Sequence, residues 1–395
     1  MKILIISPTP THPTTAGNRA RLLSLEQGLS AAGHSVDYAW ISMESGDEAA
    51  MQAYFGKRLH RLGYRPPYAR SGIVPRAVRR LRRLAGSEAA YLWNIDDWYD
   101  PTIHDSLREL HAAHAFDAVI VAYVFFSRAF EAFPPEVMRV IDAMDQFADR
   151  HLIYLRAGKV PEWFSTTIEE ECRGFLRADA VVWMQEHDSD IFTRLIGQTV
   201  QMKTVGHLLD LSARHTDPHA PRAVFVGSVN SINVEAARYF IDEVLPLLRN
   251  EIPDFELALA GDVCTAVPNA PGVRKLGRVK NVADAYAHGS VAVNAVRMGT
   301  GVNIKAMECL ALGVPLVSTE TGSRGLESLR GNALICVPDD DPQAMADAIL
   351  TLVRDRELSA HYAKASRAVA EKWNQQQMSS LESALEKRRG DLVGI

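Results

Sequence analysis

Hydrophobic positions along the chain follow two rhythms that alternate from end to end. Short runs rich in Val, Ile and Leu are each followed by a longer stretch with apolar residues at helical spacing. That alternation predicts an α/β protein built on parallel sheets. In the first half the strand candidates are 2–7, 35–41, 118–122, 139–142, 180–184 and 202–205; in the second they are 223–227, 256–260, 272–276, 291–294, 315–318 and 334–337. Between the two sets lies 207–222, where His215, Asp217, Pro218, His219 and Pro221 leave no regular period, and it reads as a linker. Each half opens alike, with a strand (KILIIS; AVFVGS), a polar loop and a helix begun by Gly17-Asn18 in one and Asn233 in the other. The expected organisation is a Rossmann-like domain at 1–206, the linker, a second Rossmann-like domain at 223–374 and a C-terminal helix at 375–395 that returns to the first domain. Two such domains are expected to face a central cleft, with ligands beyond the carboxyl ends of the strands. After Asp341-Pro342 the pattern gives two helices, the second interrupted near Trp373-Asn374, and a tail with Leu381, Ala384 and Leu385 on one face.

Length and composition agree with two soluble domains. The chain has 395 residues, 47% hydrophobic and 23% charged, which excludes disorder, collagen and a disulfide-stapled miniprotein. Its longest apolar run, 118–126, falls well short of the roughly 18 residues of a membrane span. The start, MKILIISPTP, meets Ser7 and Pro8 too soon for a signal peptide and reads as a strand. Cys172, Cys264, Cys309 and Cys336 lie far apart without a CxxC pair, and the 13 histidines form no HExxH, so reduced thiols in a cytoplasm and no metal are expected. Net charge is only −5, yet 57–83 carries ten basic residues and no acidic one. Such asymmetry suits an anionic membrane surface or an acidic lipid acceptor, giving a peripheral position on the inner face of a membrane. The plainer reading is a solvated basic helix hairpin. Nucleic acid is not expected, because no DNA- or RNA-binding motif accompanies the charge.

The densest chemical signal is GTGVNIKAMECLALGVPLVST, 299–319. Gly299 and Gly301 permit a tight turn after the strand ending at Asn294, so that a helix starts with exposed N–H groups suited to a diphosphate. Lys305 and Glu308 are three apart and share a face: a cation for phosphate beside a carboxylate able to accept both hydroxyls of a ribose. The same two residues would also serve as a plain helical ion pair. Gly313-Val314-Pro315 closes the helix and begins a buried strand.

This stretch resembles the nucleotide-sugar signature of retaining glycosyltransferases of the two-Rossmann-domain type, GT-B, family 4, which runs E-G-F-G-L-x-x-x-E and then A-x-A-x-G-x-P-V-V. Glu308 falls on the second glutamate, which in that family holds the donor ribose. Gly301 falls on the first glycine, Lys305 lies one turn before the glutamate, and 310–317 follows the tail. Gly299, Val302 and Asn303 complete the implied donor loop. The first glutamate falls on Thr300, which carries no charge. At 225–228 the chain resembles the V-G-R strand end, with Gly227 in place and Ser228 where the arginine stands, so phosphate charge falls to Lys305, backbone N–H groups and Arg297, Arg278 or Arg324. Leu276-Gly277-Arg278-Val279 resembles the strand end that holds the nucleobase by its backbone, and 319–325 a loop beside the sugar.

In the first half, Gly17-Asn18 stands where the family has a glycine-rich loop after the first strand, and the missing G-x-G-x-x-G counts against an NAD enzyme. The run 140–145 resembles a T-x-H-D site, with Met144 on the histidine and Asp145 on the aspartate. Asp142, Asp145 and Arg150 are the candidates for acceptor binding or catalysis; helix capping with a nearby salt bridge explains them equally. Asp188-Ser189-Asp190 spells D-x-D but reads better as a helix cap than as a metal site. Glu169-Glu170-Glu171 reads as a solvated face. His12 and His34 are possible substrate contacts, and 93–99 is an aromatic, acidic loop that would stack on a sugar or serve as a lid. The resemblance implies sugar transfer from a UDP- or GDP-sugar to a glycan, lipid-linked or envelope polysaccharide acceptor, with retention and without a metal or other cofactor. A sugar-nucleotide epimerase of the same fold, or a non-catalytic nucleotide-sugar-binding partner of another transferase, remains an alternative.

Overall fold

The computed structural model describes residues 1–386 except 15, 68–71, 157–159, 162, 214, 216–218, 280, 299–303 and 325. The chain divides into two units, one formed by Met1–Leu208 with the described part of Gln376–Ile395, the other by Leu209–Gln375.

The first unit is built on seven parallel strands: β1 (Lys2–Ser7), β2 (Ser35–Ile41), β3 (Leu59–Leu62), β4 (Ala118–Ala122), β5 (Met138–Asp142), β6 (Ala180–Trp183) and β7 (Gln201–Thr204), in the order β3-β2-β1-β4-β5-β6-β7. Strands such as β4 are buried at every position, as continuous Val/Ile/Ala runs must be when helices cover both faces of a parallel sheet. β3 is an addition to the expected set. Leu59–Leu62 pairs with β2 inside the basic stretch, where His60, Arg61 and the preceding Lys57-Arg58 hide its two leucines.

The second unit holds six parallel strands, β8 (Arg222–Val226), β9 (Glu256–Ala260), β10 (Val273–Gly277), β11 (Val291–Asn294), β12 (Leu316–Thr319) and β13 (Ile335–Val337), in the order β10-β9-β8-β11-β12-β13. In both sheets the strand order reverses beside the unit's first strand, between β1 and β4 and between β8 and β11. Such a switch point leaves a crevice at the strand carboxyl ends where an α/β sheet takes its ligand.

Two expectations at the junctions are corrected. Most of the stretch read as a linker belongs to the second unit: Leu209 is buried, its N–H donates to Asn374 Oδ1 at 2.9 Å, and its carbonyl accepts from Asn374 Nδ2 at 2.8 Å. The helix expected to break near Trp373-Asn374 runs unbroken over Arg356–Leu385. Asn374 spends its amide on Leu209 rather than on its own helix, so its poor helix propensity is overridden by a tertiary partner. Further along, Leu381, Ala384 and Leu385 enter the first unit's core, and Gln377 Oε1 accepts from Gly206 N–H at 2.7 Å. Gly28 permits this approach: a Cβ there would lie 2.5 Å from Leu208 Cδ1 and 2.8 Å from Met378 Sδ. Among the described residues, no helix is long and apolar enough to cross a membrane.

Candidate functional site

At the second unit's switch point one amide joins the two sides. The helix Ser231–Tyr239 is capped by Asn230, whose Oδ1 accepts from Asn233 N–H at 2.8 Å; Asn233 therefore lies in the first turn rather than at the cap where the sequence placed it. Its side chain is buried. Nδ2 donates to Ser228 O at 2.9 Å and to Ser228 Oγ at 3.2 Å, while Oδ1 accepts from Lys305 Nζ at 2.8 Å. Ser228 follows β8, and Lys305 lies on the helix Ile304–Leu312 that follows β11, so Asn233 spans the reversal. Beside it, Gly261 takes φ +91°, and a Cβ would fall 2.2 Å from Gly227 O. Only glycine lets the ends of β8 and β9 come this close, with Gly227 N–H donating to Ala260 O at 2.9 Å and Val263 N–H to Gly227 O at 3.0 Å.

Lys305 and Glu308 occupy one face of their helix, and both are half-buried. Burial pushes the Glu308 carboxyl up to about 7 while the nearby Lys305 charge opposes the shift; burial pulls the Lys305 ammonium down to about 8 while Glu308 opposes that. Burial thus draws the acid and the base toward each other near neutrality, which makes the pair the leading site candidate. Among the described residues nothing donates a hydrogen bond to the Glu308 carboxylate. Sequence reasoning found this pair but missed Asn233's role, because a cap asparagine and a bridging asparagine look alike in a string.

The rest of the expected donor set divides. Gly299, Thr300, Gly301, Val302 and Asn303 lie outside the described residues. Arg278 forms an exposed bidentate pair with Asp262, Nε to Oδ1 at 3.1 Å and Nη2 to Oδ2 at 2.8 Å, a surface pair of small worth. Val279 packs half-buried against the core. Arg297 is less available: it pairs with Glu235 and with Asp340 at 2.7 Å and lies 4.0 Å over the Tyr239 ring. The loop after β12 is fastened rather than loose, with Asn294 Nδ2 donating to Gly322 O at 2.7 Å and Asp339 accepting from Thr321 N–H and Oγ1 at 2.8 and 2.7 Å.

In the first unit the loop after β1 forms a polar network. Gly17 starts the helix Gly17–Ala31; Asn18 Nδ2 donates to Tyr123 OH at 3.1 Å and to Thr9 Oγ1 at 3.4 Å, and Thr9 Oγ1 donates to Glu44 Oε1 at 2.9 Å. Burial raises the Glu44 carboxyl, with the Thr9 hydrogen bond opposing. Tyr123 ends β4 in the left-handed region at φ +69°, and Met144, past β5, does the same at φ +55°. Two strained positions at neighbouring strand ends are characteristic of a functional edge.

Several first-unit expectations are corrected. Asp142 is fully buried and paired with Arg21, likewise fully buried, Nε to Oδ2 at 3.4 Å and Nη2 to Oδ1 at 3.2 Å, and Arg21 also binds Gly206 O. Asp145 is exposed and pairs with Arg150 at 3.0 Å, so of the two acidic candidates it alone remains accessible. Glu171 is no solvated residue. It is buried and accepts from Phe147 N–H at 2.9 Å and Ala148 N–H at 2.6 Å, and burial lifts its carboxyl to about 8. Asp188 lies inside the helix Glu186–Ile196, whose cap position is Gln185. Trp98 is wedged among Trp93, Phe125, Trp163 and Phe164, so 93–99 is packed rather than a lid. His34 bonds Glu382 at 2.9 Å. The histidines do gather once: single ligand atoms of Asp37, His60 and His114 lie within 4.8 Å of one another, but Lys2 Nζ stands 3.2 Å from His114 Nδ1 and already supplies a cation there.

Residues 220–355 match the family described as Glycosyl transferases group 1. A sequence comparison with curated proteins finds no match. Among solved structures the chain is similar to sucrose-phosphate synthase from Thermosynechococcus elongatus, 14% identical with a TM-score of 0.59, covering 97% of each chain. It is also similar to Anabaena HepE in complex with UDP, at 15% identity and a TM-score of 0.60, covering 97% of this chain and 100% of that one. A third is a TarM variant from S. aureus in complex with fondaparinux, alpha-GlcNAc-glycerol and UDP, at 10% identity and 0.62, covering 98% and 100%. At such identities the likeness is one of fold.

Proposed function

We propose that this chain, whose residues 220–355 match the family described as Glycosyl transferases group 1 and whose fold is of the GT-B type, is a transferase that moves a sugar from a UDP- or GDP-sugar held by the second unit to a hydroxyl of a glycan, lipid-linked or envelope polysaccharide acceptor. The observation that carries the reading is the Lys305–Glu308 pair, half-buried and bridged through Asn233 to the end of β8 at the sheet's reversal. Glu308 accepts the two ribose hydroxyls. Lys305 supplies positive charge to the diphosphate, joined by Arg278 once it leaves Asp262, and the backbone beyond Gly277 holds the base. In the transfer the sugar's C1–O bond to the diphosphate breaks and the acceptor oxygen bonds to C1. The acceptor proton passes to the departing phosphate oxygens, so positioning and charge do most of the catalytic task. Retention follows from the family resemblance. Asp145, accessible on the first unit, binds an acceptor hydroxyl, and Asn18 orients the loop after β1. No metal is required, and chelator leaves turnover unchanged.

The test is calorimetric titration with UDP, GDP, ADP and dTDP in the absence of metal. Preference for UDP or GDP that disappears in Glu308→Ala, with the fold intact by circular dichroism, supports the assignment; equal affinity in the mutant removes Glu308 from the site.

A further inference from the structure

The helix Ile73–Leu84 is mounted the wrong way round for an ordinary surface helix. Arg79 fixes it: Nη1 donates to Ala90 O at 3.0 Å, Nη2 to Leu92 O at 3.1 Å, and the guanidinium carbon lies 3.5 Å over the Trp93 ring. Arg83, one turn on, lies 5.4 Å over Tyr91. Trp93 in turn packs against Trp98, which packs against Phe125 and Phe164 of the core, so the mount is firm. At about 100° per residue, Val78, Leu81 and Leu84 share the side opposite Arg79 and Arg83. They are 41%, 65% and 77% exposed, with Arg80 and Arg82 exposed on either flank. A surface helix of a globular protein turns its apolar stripe to the core; this one turns it to solvent.

The charge around it is also selective. Of the ten cations in 57–83, Arg58, Arg61 and Arg65 pair with Glu26, Glu48 and Asp100. On the helix, burial lowers the Arg79 guanidinium, Asp97 opposes the shift, and Arg83 and Arg82 lower it further. A leucine stripe between exposed arginines matches a surface with anionic headgroups above hydrocarbon. A second copy of the chain would set arginine against arginine across a twofold contact, and nucleic acid would meet the charge but leave the leucines in water.

We propose that Ile73–Leu84 is an interfacial helix that seats the enzyme on an anionic lipid bilayer, with Val78, Leu81 and Leu84 entering the headgroup boundary and Arg80 and Arg82 on phosphates. This deepens the reading of a lipid-linked or envelope acceptor by naming the surface on which that acceptor is presented, and its test does not depend on transfer activity. Full-length protein is sedimented with vesicles of phosphatidylcholine alone or mixed with phosphatidylglycerol. Binding is expected only to the mixed vesicles and falls with added salt. Arg80→Gln with Arg82→Gln weakens it about 30-fold, from the usual attraction per basic residue near an acidic leaflet. Leu81→Ser with Leu84→Ser weakens it roughly tenfold or more. Both variants keep the wild-type affinity for UDP, so a failure here is distinct from a failure of the donor site. Equal binding to both vesicle types, binding unchanged in both variants, or a dimer dissociated by the leucine changes overturns the proposal; so does duplex DNA binding that is tighter than vesicle binding.

Discussion

Each unit places an acid beside a base at the carboxyl end of its sheet, and the two pairs have opposite characters. Arg21 and Asp142 are fully buried and use two hydrogen bonds on each other, with the third guanidinium contact on Gly206. Both side chains are 0% exposed, and the pair ties the first helix to β5 and to the end of the chain segment after β7. Lys305 and Glu308 are only half-buried, and both have titrations drawn toward neutrality. Burial has made this second pair unstable as ions without closing it. The difference in burial and titration assigns the first pair to structure and leaves the second as the candidate for a ligand.

The contrast breaks most visibly if the closed pair is opened. Arg21→Met leaves the Asp142 carboxylate buried without a cation, which costs about 3–5 kcal/mol. Thermal unfolding of the variant is expected roughly 10 °C lower, while nucleotide affinity, a property of the other unit, stays within about twofold. A loss below about 1 kcal/mol would mean that Asp142 finds water and that the pair is not structural. The converse change is Glu308→Ala. It lowers nucleotide affinity about 100-fold or more, the loss expected for two charge-assisted hydrogen bonds, and leaves the unfolding midpoint unchanged or slightly higher, because a buried carboxylate has been removed.

A third change asks whether the first unit's strand-end loop is held by a charge at all. Glu171 accepts two backbone N–H groups at once, from Phe147 and Ala148. Glutamine keeps the shape but turns an NH2 against one of them, so Glu171→Gln costs about 2 kcal/mol by chemical denaturation. An unchanged midpoint would show that the carboxyl is already protonated and donates elsewhere.

These same residues mark how far the sequence could be read. Strand and helix rhythm placed both sheets almost completely, because a strand buried on both faces is written as an unbroken apolar run. It failed at Leu59–Leu62, a four-residue edge strand whose exposed position is Arg61 and whose second position is His60. Glu308 and Lys305 were legible because a three-residue spacing on a helix fixes their shared face. Asp142 and Glu171 were misjudged because burial is a tertiary property: an acid at a strand end reads as a ligand until the arginine that covers it, 121 positions earlier in the chain, is seen beside it. Glu171 stands in a run of three glutamates, and only the turn of the helix separates it from the exposed Glu169 and the half-buried Glu170. The net charge of the basic stretch was not legible either, since carboxylates that neutralise part of it come from 26, 48 and 100.

The smallest effect sharpens the comparison furthest, because it reads the open pair without a mutation. The Glu308 carboxyl lies at about 7, raised from its ordinary value by burial. If its anion accepts the ribose hydroxyls, nucleotide affinity is full above that value and declines as pH falls through it. Between pH 8 and pH 6 the ionised fraction drops about tenfold, so affinity should fall by about the same factor, close to 1.4 kcal/mol. Free nucleotide phosphates titrate near pH 6 and would add to the slope, which is why the measurement uses a UDP-sugar, whose diphosphate stays ionised throughout. The Lys305 ammonium, lowered to about 8 by burial, moves the other way: it loses its proton as pH rises, and affinity should decline again above pH 8. The expected profile is therefore a bell with its maximum between the two values. Glu308→Gln removes only the acid limb, since its amide oxygen no longer changes charge, whereas Lys305→Met removes the basic one. A bell that persists in both variants would place the titrating groups elsewhere and would return Lys305 and Glu308 to the class of the Arg21–Asp142 pair.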